Sequence, residues 1–343
     1  MAYYDGTKLL SLKDINGQDP EIYMVTTNRT GGKTTYFNRL CVNAYLNGKG
    51  KFIVLNRYNY ELDGCAEKFF KNIQQLFFPD KTMTSKRMAS GAYHELFLND
   101  LSCGYALALN QADIIKKYSH LFSDANRMVF DEFQSENNHY CSNEVQKFIS
   151  VHTSVARGNG EQYRRVPVYM LSNPVTLLNP YYTELGVSKR LQKETKFLKG
   201  DGWILEQGFV ESASEAQKCG AFNRAFANNA YVAYSSENVY LNDNYAFIEQ
   251  PAGDGVYLAT IKYNGKEFGI REYSRLGIIY CTDKPDSTYP YKIAITTDEH
   301  NVNYIMLKRN DMFIKQLRYY FEHGAFRFKN LDCKEAIFKF LSL

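Results

Sequence analysis

The sequence predicts an α/β fold in which a mainly parallel sheet forms a first domain and a small α+β unit follows it. Three observations carry this. Strands and helices alternate through the first hundred residues, a phosphate-loop signature joins the first strand to the first helix, and beyond residue 180 the pattern changes to closely spaced strands. At 343 residues the chain exceeds what one core usually serves, which favours two domains and a connector.

Residues 21–26 (EIYMVT) read as a short buried strand, then a Gly-containing turn, then a helix over about 33–46. In that helix Phe37, Leu40, Cys41 and Ala44 repeat at i, i+3, i+4, i+7, and Gly48 is its stop. A second strand at 51–55 (KFIVL) precedes a second helix lined by Phe69, Phe70, Ile73, Leu76 and Phe77, which Pro79 ends. Residues 82–109 read as two or three short strands inserted as a hairpin. The strand 127–130 (RMVF) runs straight into Asp131-Glu132, and a long helix over about 143–156 leads through a polar loop to the strand 167–171 (PVYML). Residues 186–229, basic and helical at first and then Ser/Ala/Asn-rich, are expected to be a connector between domains 1–185 and 230–343. Strands at 256–263, 267–273 and 276–281 follow, the first two joined by an Asn264-Gly265 type I′ hairpin signal, with helices at about 311–323 and 333–341.

Seven cysteines stand singly, with no paired spacing and no His at metal-ligand distance in sequence, so free thiols in a reducing cytoplasm are expected. Residues 1–20 hold no apolar stretch of signal-peptide length, and nothing approaches the roughly 18 apolar residues of a membrane span. A net charge of +4 is too small for a surface-wide polyanion coat, so any nucleic-acid site must be local. Two segments are locally basic: 188–200, with Lys189, Arg190, Lys193, Lys196 and Lys199 against Glu194, and 301–343. By charge alone, each is as well read as a solvated face.

Thr27-Asn28-Arg29-Thr30-Gly31-Gly32-Lys33-Thr34 fits G-x-x-x-x-G-K-[ST] except at its first position, and with Thr35 forms the candidate nucleotide loop. Gly31 and Gly32 let backbone N–H groups turn toward phosphate, Lys33 pairs with the β- and γ-phosphates, and Thr34 gives its hydroxyl to Mg²⁺. The bland alternative is an ordinary turn and helix start. Asp131 and Glu132 arrive at the carboxyl end of a strand, where α/β sheets bind ligands. Asp131 is the candidate Mg²⁺ holder through water and Glu132 the general base, although an acidic pair after a strand is also a common exposed turn. Ser172-Asn173 ends the next strand, with Asn173 as candidate γ-phosphate sensor. Arg157, Arg164 and Arg165 precede that strand as candidate charge neutralisers or, equally, a solvated loop.

Val129-Phe130-Asp131-Glu132-Phe133, Leu171-Ser172-Asn173-Pro174-Val175 and Asn179-Pro180-Tyr181 together resemble the φ29-like family of phage DNA-packaging ATPases. Asn56-Arg57-Tyr58, Asn143-Glu144-Val145, Tyr263-Asn264-Gly265 and Thr296-Thr297-Asp298 extend the likeness over most of the chain, while the family has Gly where Thr27 and Thr30 stand. The resemblance implies a P-loop ASCE ATPase of FtsK/HerA type using ATP and Mg²⁺. It further implies a five-subunit ring on the portal vertex of a prohead in the host cytoplasm, with double-stranded DNA as a partner, and leaves open whether a packaging RNA takes part. It also implies a C-terminal domain similar to an RNase H-like nuclease without its metal site, which binds DNA, portal or RNA without cutting. An arginine acting on a neighbouring subunit's nucleotide corresponds to Arg157, and a lysine acting in trans to Lys116 or Lys117. Competing readings are a DNA-cutting terminase, a cellular FtsK/HerA-like translocase, a P-loop switch and a non-enzymatic scaffold. The candidate strand 256–263 carries no carboxylate, as a nuclease would require there, which speaks against the first.

Overall fold

The computed structural model describes residues 3–137, 139–158, 160–188, 190–191, 195–237, 239–241, 245–308 and 310–341. The chain divides into two compact units, Met1–Asn242 and Asp243–Leu343.

The first unit is built on nine strands: β1 (Ile22–Thr26), β2 (Lys51–Asn56), β3 (Met83–Met88), β4 (Tyr93–Leu98), β5 (Leu101–Ala108), β6 (Ala125–Asp131), β7 (Val168–Ser172), β8 (Phe197–Lys199) and β9 (Trp203–Gln207). Their order is β3-β4-β5-β2-β6-β7-β1-β9-β8, and every pairing from β5 across to β9 is parallel. Strands covered on both faces should be near-continuous apolar runs, and β1, β7 and β9 are buried along almost their whole length. The side-chain alternation of a strand sorts the core into two layers. Tyr23 and Val25 pack with Phe37 and Cys41 of the helix Lys33–Leu46 on one face. Met24 faces the other layer, which holds Phe148, Val151 and Val155 of the helix Glu144–Ala156.

The expected elements up to residue 172 are present, with the inserted hairpin resolved into antiparallel β3, β4 and β5, the last joining the sheet beside β2. The segment 186–229 departs from the sequence reading. Rather than a connector beginning with a helix, it supplies β8 and β9 to the sheet, followed by the helices Glu211–Cys219 and Ala221–Ala225. The first unit therefore runs to Asn242, not to residue 185. The cause is local: Phe197–Lys199 and Trp203–Gln207 pair antiparallel around Asp201-Gly202, with Gly202 at φ +74°, a turn chemistry that outweighs the basic residues' helix propensity. Of the basic stretch, Lys189, Lys193 and Glu194 lie outside the described residues, as does Arg309 of the C-terminal one.

In the second unit, β10 (Val256–Tyr263), β11 (Lys266–Tyr273) and β12 (Ile278–Thr282) form the expected antiparallel meander. Asn264 and Gly265 both have positive φ, as a type I′ turn requires. Two three-residue strands that the sequence reading missed, β13 (Lys292–Ala294) and β14 (Phe326–Phe328), flank it in the order β13-β10-β11-β12-β14, each parallel to its neighbour. Helices Met312–Glu322 and Leu331–Leu341 cover the sheet with Ile314, Leu317, Ile337 and Phe340. Among the described residues no helix is long and apolar enough to cross a membrane.

Candidate nucleotide site at the carboxyl edge of the first sheet

The turn after β1 crosses the sheet edge at the point where β7 and β6 end on one side and β9 on the other. Thr27 N–H bonds the Ser172 carbonyl at 3.3 Å, tying the start of the loop to the end of β7. Thr27 is fully buried, and the neighbouring chain makes room with Gly208, on which a Cβ would lie 3.0 Å from the Thr27 methyl. Thr30 takes φ +60° itself, a left-handed conformation that disfavours a β-branched residue, and Gly32 follows at φ +93°. The loop thus turns without Gly at 27 and 30, one position being packed against a glycine and the other strained.

The side chains of the signature meet those of the acidic strand. Lys33 is buried and donates from Nζ to Asn173 Oδ1 at 2.8 Å, so the end of β7 positions the amine. Burial holds the Lys33 amine below its usual pKa, with Arg29 adding to the effect and the Asp131 and Glu132 carboxylates opposing it. Thr34 donates from Oγ1 to Asp131 Oδ2 at 3.0 Å. A hydroxyl and a carboxylate converging in this way are a hard-oxygen donor set that fits Mg²⁺. No group of three or more His, Cys, Asp or Glu able to hold a metal gathers among the described residues, so phosphate oxygens and water would have to complete its shell. Thr35, half-buried, follows on the same helix.

Glu132 is exposed, with φ +58°, and its N–H bonds Asp131 Oδ1 at 3.0 Å. That strained backbone is fixed by Arg57, whose guanidinium donates to the carbonyls of Glu132 (3.3 Å) and Phe133 (2.8 Å). The Arg57 Nε reaches both oxygens of buried Glu144 at 2.9 and 3.1 Å, and Glu144 also accepts from the Tyr181 hydroxyl and the Cys141 N–H. Three stretches that carry the family resemblance, around Arg57, Glu144 and Tyr181, therefore meet in one buried network behind Glu132.

Several groups holding the loop carry no local sequence signal. The Asn28 amide exchanges two hydrogen bonds with the Val210 backbone, at 2.9 and 3.0 Å. The Arg29 guanidinium pairs with Glu136 and lies over the rings of Tyr231 and Tyr234, while Gln217 donates to the Arg29 carbonyl and the Thr30 hydroxyl. Gln217, Tyr231 and Tyr234 sit on the helices Glu211–Cys219 and Ala230–Glu237 and Val210 just before the first of them, in the region the sequence reading took for connector and domain boundary, whereas Glu136 follows β6.

The arginines before β7 separate sharply. Arg164 donates to the carbonyls of Ala125 and Val155 and to Asn126, and Arg165 to the Pro20 carbonyl and Tyr23. Arg157, at the carboxyl end of the helix Glu144–Ala156, is exposed and makes no hydrogen bond or ion pair among the described residues. It lies at the end of the sheet where β6 begins, opposite Asp131 and Glu132, so this site does not include it. Lys116 and Lys117 are both exposed, Lys116 lying 3.9 Å from Asp113.

A family model described as podovirus DNA encapsidation protein (Gp16) matches residues 1–342. The DNA packaging protein of Bacillus phage PZA is 26% identical over 333 residues, covering 96% of this chain and 93% of that protein. The DNA packaging protein of Bacillus phage phi29 gives the same identity and coverage. Among solved structures, the chain resembles a subunit of the bacteriophage Phi-29 viral genome packaging motor assembly, at TM-score 0.64 and 21% identity over 100% of this chain and 99% of that one. It also resembles one of the Phi-28 gp11 DNA packaging motor, at TM-score 0.67 and 19% identity over 99% and 98%. These two likenesses establish a shared fold.

Proposed function

We propose, from the premise that this chain belongs to the podovirus DNA encapsidation protein family, that it hydrolyses ATP with Mg²⁺ and couples the hydrolysis to movement of double-stranded DNA into a prohead. The observation that carries this reading is the convergence of Lys33 with Asn173 and of Thr34 with Asp131 on one sheet edge. Lys33 and the loop 27–35 bind the triphosphate, and Thr34 and Asp131 hold the ion, which when bound neutralises charge on the β- and γ-oxygens. The Glu132 carboxylate takes the proton of the attacking water as its oxygen bonds to the γ-phosphorus and the bridging bond to the β-phosphate breaks. Asn173, already on Lys33, reports the presence of the γ-phosphate. Arg157 meets the developing charge at a neighbouring subunit's site, which requires a ring; five subunits, docking on the portal and a packaging RNA complete the proposal. The second unit is proposed as RNase H-like and non-cutting, since β10 bears no carboxylate.

The coupling is tested by phosphate release at saturating ATP with and without double-stranded DNA of mixed sequence. A rise is expected, and an unchanged rate would remove the motor reading in favour of a P-loop switch. Ring-shaped particles should be visible by electron microscopy with an ATP analogue and DNA.

A further inference from the structure

The last helix of the first unit, Ala230–Glu237, is fastened to the candidate nucleotide site by backbone, ring and hydroxyl contacts. The Ser235 carbonyl accepts from the Arg29 N–H of the phosphate loop at 2.9 Å. The rings of Tyr231 and Tyr234 lie 5.2 and 5.8 Å from the Arg29 guanidinium. Their hydroxyls donate to Glu136, Tyr234 at 2.7 Å and Tyr231 at 3.3 Å, and Glu136 pairs with Arg29 as well. Tyr234 is fully buried, and with Arg29, Glu132, Glu136 and Asn173 it lines a cavity of about 280 Å³.

Hydrogen-bond valence orders these contacts. A phenol has a single O–H, and Tyr234 directs it to Glu136. Burial opposes charge on Glu136, but donation from Tyr234 and Arg29 outweighs it and holds the carboxylate below its usual pKa. The Asn173 side chain also hydrogen-bonds the Tyr234 hydroxyl. Since the phenol proton is committed to Glu136, and Asn173 Oδ1 already accepts from Lys33 Nζ at 2.8 Å, that bond runs from the Asn173 amide nitrogen to the phenol oxygen. Lys33, Asn173, Tyr234, Glu136 and Arg29 thus form one chain of polar contacts. It leaves the phosphate loop at Lys33, passes through the helix and returns to the loop at Arg29.

Asn173 can meet a γ-phosphate, which only accepts, with no group other than that same amide nitrogen. An anionic phosphate oxygen is a stronger acceptor than a neutral phenol, so the amide turns to the nucleotide and Tyr234 loses its donor. We infer that Tyr234 is a positioning residue through which a bound γ-phosphate loosens the helix Ala230–Glu237, from which the chain continues to the second unit at Asp243. The inference rests on the reading of residues 27–35 and Asn173 as the triphosphate site, and the experiment separates the two.

Amide hydrogen exchange across Ala230–Glu237 is followed by mass spectrometry on the full chain alone, with Mg-ADP, and with the Mg complex of the non-hydrolysable imido analogue of ATP. Calorimetry establishes saturation by each nucleotide. In the parent the analogue should speed exchange of the helix by about threefold to tenfold, the range that one hydrogen bond commands, and ADP should leave it unchanged. Tyr234→Phe keeps the ring beside Arg29 and removes only the hydroxyl. Its helix should exchange at the faster rate without nucleotide and respond to neither ligand, while unchanged exchange of β1 shows that the variant is folded. A residue that merely buttresses the helix would loosen it in the variant and leave the response to the γ-phosphate intact. That outcome overturns the inference, as does a nucleotide-saturated parent whose helix answers ADP and the analogue alike, or answers neither. If calorimetry detects no nucleotide binding to the parent, the triphosphate-site reading falls and this inference falls with it.

Discussion

The two ends of the first sheet treat their polar side chains in opposite ways. At the carboxyl end Lys33 is already on Asn173, Thr34 on Asp131, and the backbone of Glu132 on Arg57. At the amino end Arg164 and Arg165 are tied to backbone carbonyls, and Arg157 alone of the three is left free among the described residues. The helix of 13 residues that separates Glu144 from Arg157 spans about 20 Å at ~1.5 Å per residue, so Arg157 is carried away from the site its own helix helps to build. The contrast fits the proposed roles, in which the groups at the carboxyl end serve the subunit's own nucleotide and are held in place beforehand, whereas Arg157 is proposed to serve a neighbour's.

The largest expected effect comes from the prearranged end. Lys33→Ala should lose nucleotide binding altogether in an equilibrium titration, and retained binding would separate the hydrogen-bonded geometry from phosphate recognition. Next is the free end. Arg157→Ala should bind ATP like the parent but turn over ~10³- to 10⁵-fold more slowly, and Lys at 157 should not restore the rate, lacking the planar fork. Glu132→Gln should bind ATP and slow hydrolysis by about 10²- to 10⁴-fold. Mixed rings of the two variants should recover some activity, since an intact Glu132 on one subunit then meets an intact Arg157 from the next. If verified hetero-oligomers recover nothing while Arg164→Ala abolishes turnover, the contrast between anchored and free arginines has been misread.

A third effect is thermodynamic. Arg57 and Glu144 form an ion pair with side chains only 8% and 1% exposed. Removing one partner leaves a buried charge, so Arg57→Ala should lower stability by about 3–5 kcal/mol in a urea titration. A cost below about 1 kcal/mol would mean that Glu132 is held by its own loop rather than by this network.

How much of this was readable in the sequence depended on distance along the chain. Asp131 and Asn173 could be found because each lies at the end of a short apolar strand, and Lys33 and Thr34 because they open a helix directly after a glycine-bearing turn, so that local residues mark all four positions. Arg57, Glu144 and Tyr181 stood out only through family likeness, because their contact spans 37 to 124 residues of chain, and nothing local announces it. The clamp formed by Gln217, Tyr231 and Tyr234 was hidden by composition, since a Ser/Ala/Asn-rich segment reads as linker until the loop it covers is known. For β8 and β9 a signal was present in Asp201-Gly202 between two apolar runs, yet the neighbouring lysines favoured a helical reading. Three-residue strands such as β13 and β14 are too short for a period of two to register.

The smallest expected effect tests whether the amino end, though it holds no nucleotide, is nevertheless built with care. There His152 Nε2 lies 2.9 Å from the Val166 carbonyl and 3.3 Å from Glu21 Oε1, and Glu21 also accepts from the Val166 N–H and the Tyr163 hydroxyl. Burial opposes charge on the imidazole, but the Glu21 carboxylate and the Val166 carbonyl outweigh it, and the His152 pKa is raised above its ordinary 6.5. Burial likewise opposes charge on Glu21, and its hydrogen bonds to His152, Tyr163 and Val166 bring it below its ordinary 4.5. A raised histidine favours the folded state in its protonated form, so its contribution is complete below 6.5 and disappears as pH rises through the folded value. The lowered carboxylate contributes above 4.5 and is lost as pH falls through its own folded value, so the pair is strongest between the two. His152→Gln should therefore cost on the order of 1 kcal/mol at about pH 6 and progressively less toward about pH 9, measured as the difference between parent and variant urea midpoints. A difference that stays flat, or grows with pH, would mean that His152 is neutral in the folded protein and that the amino end owes its order to packing alone.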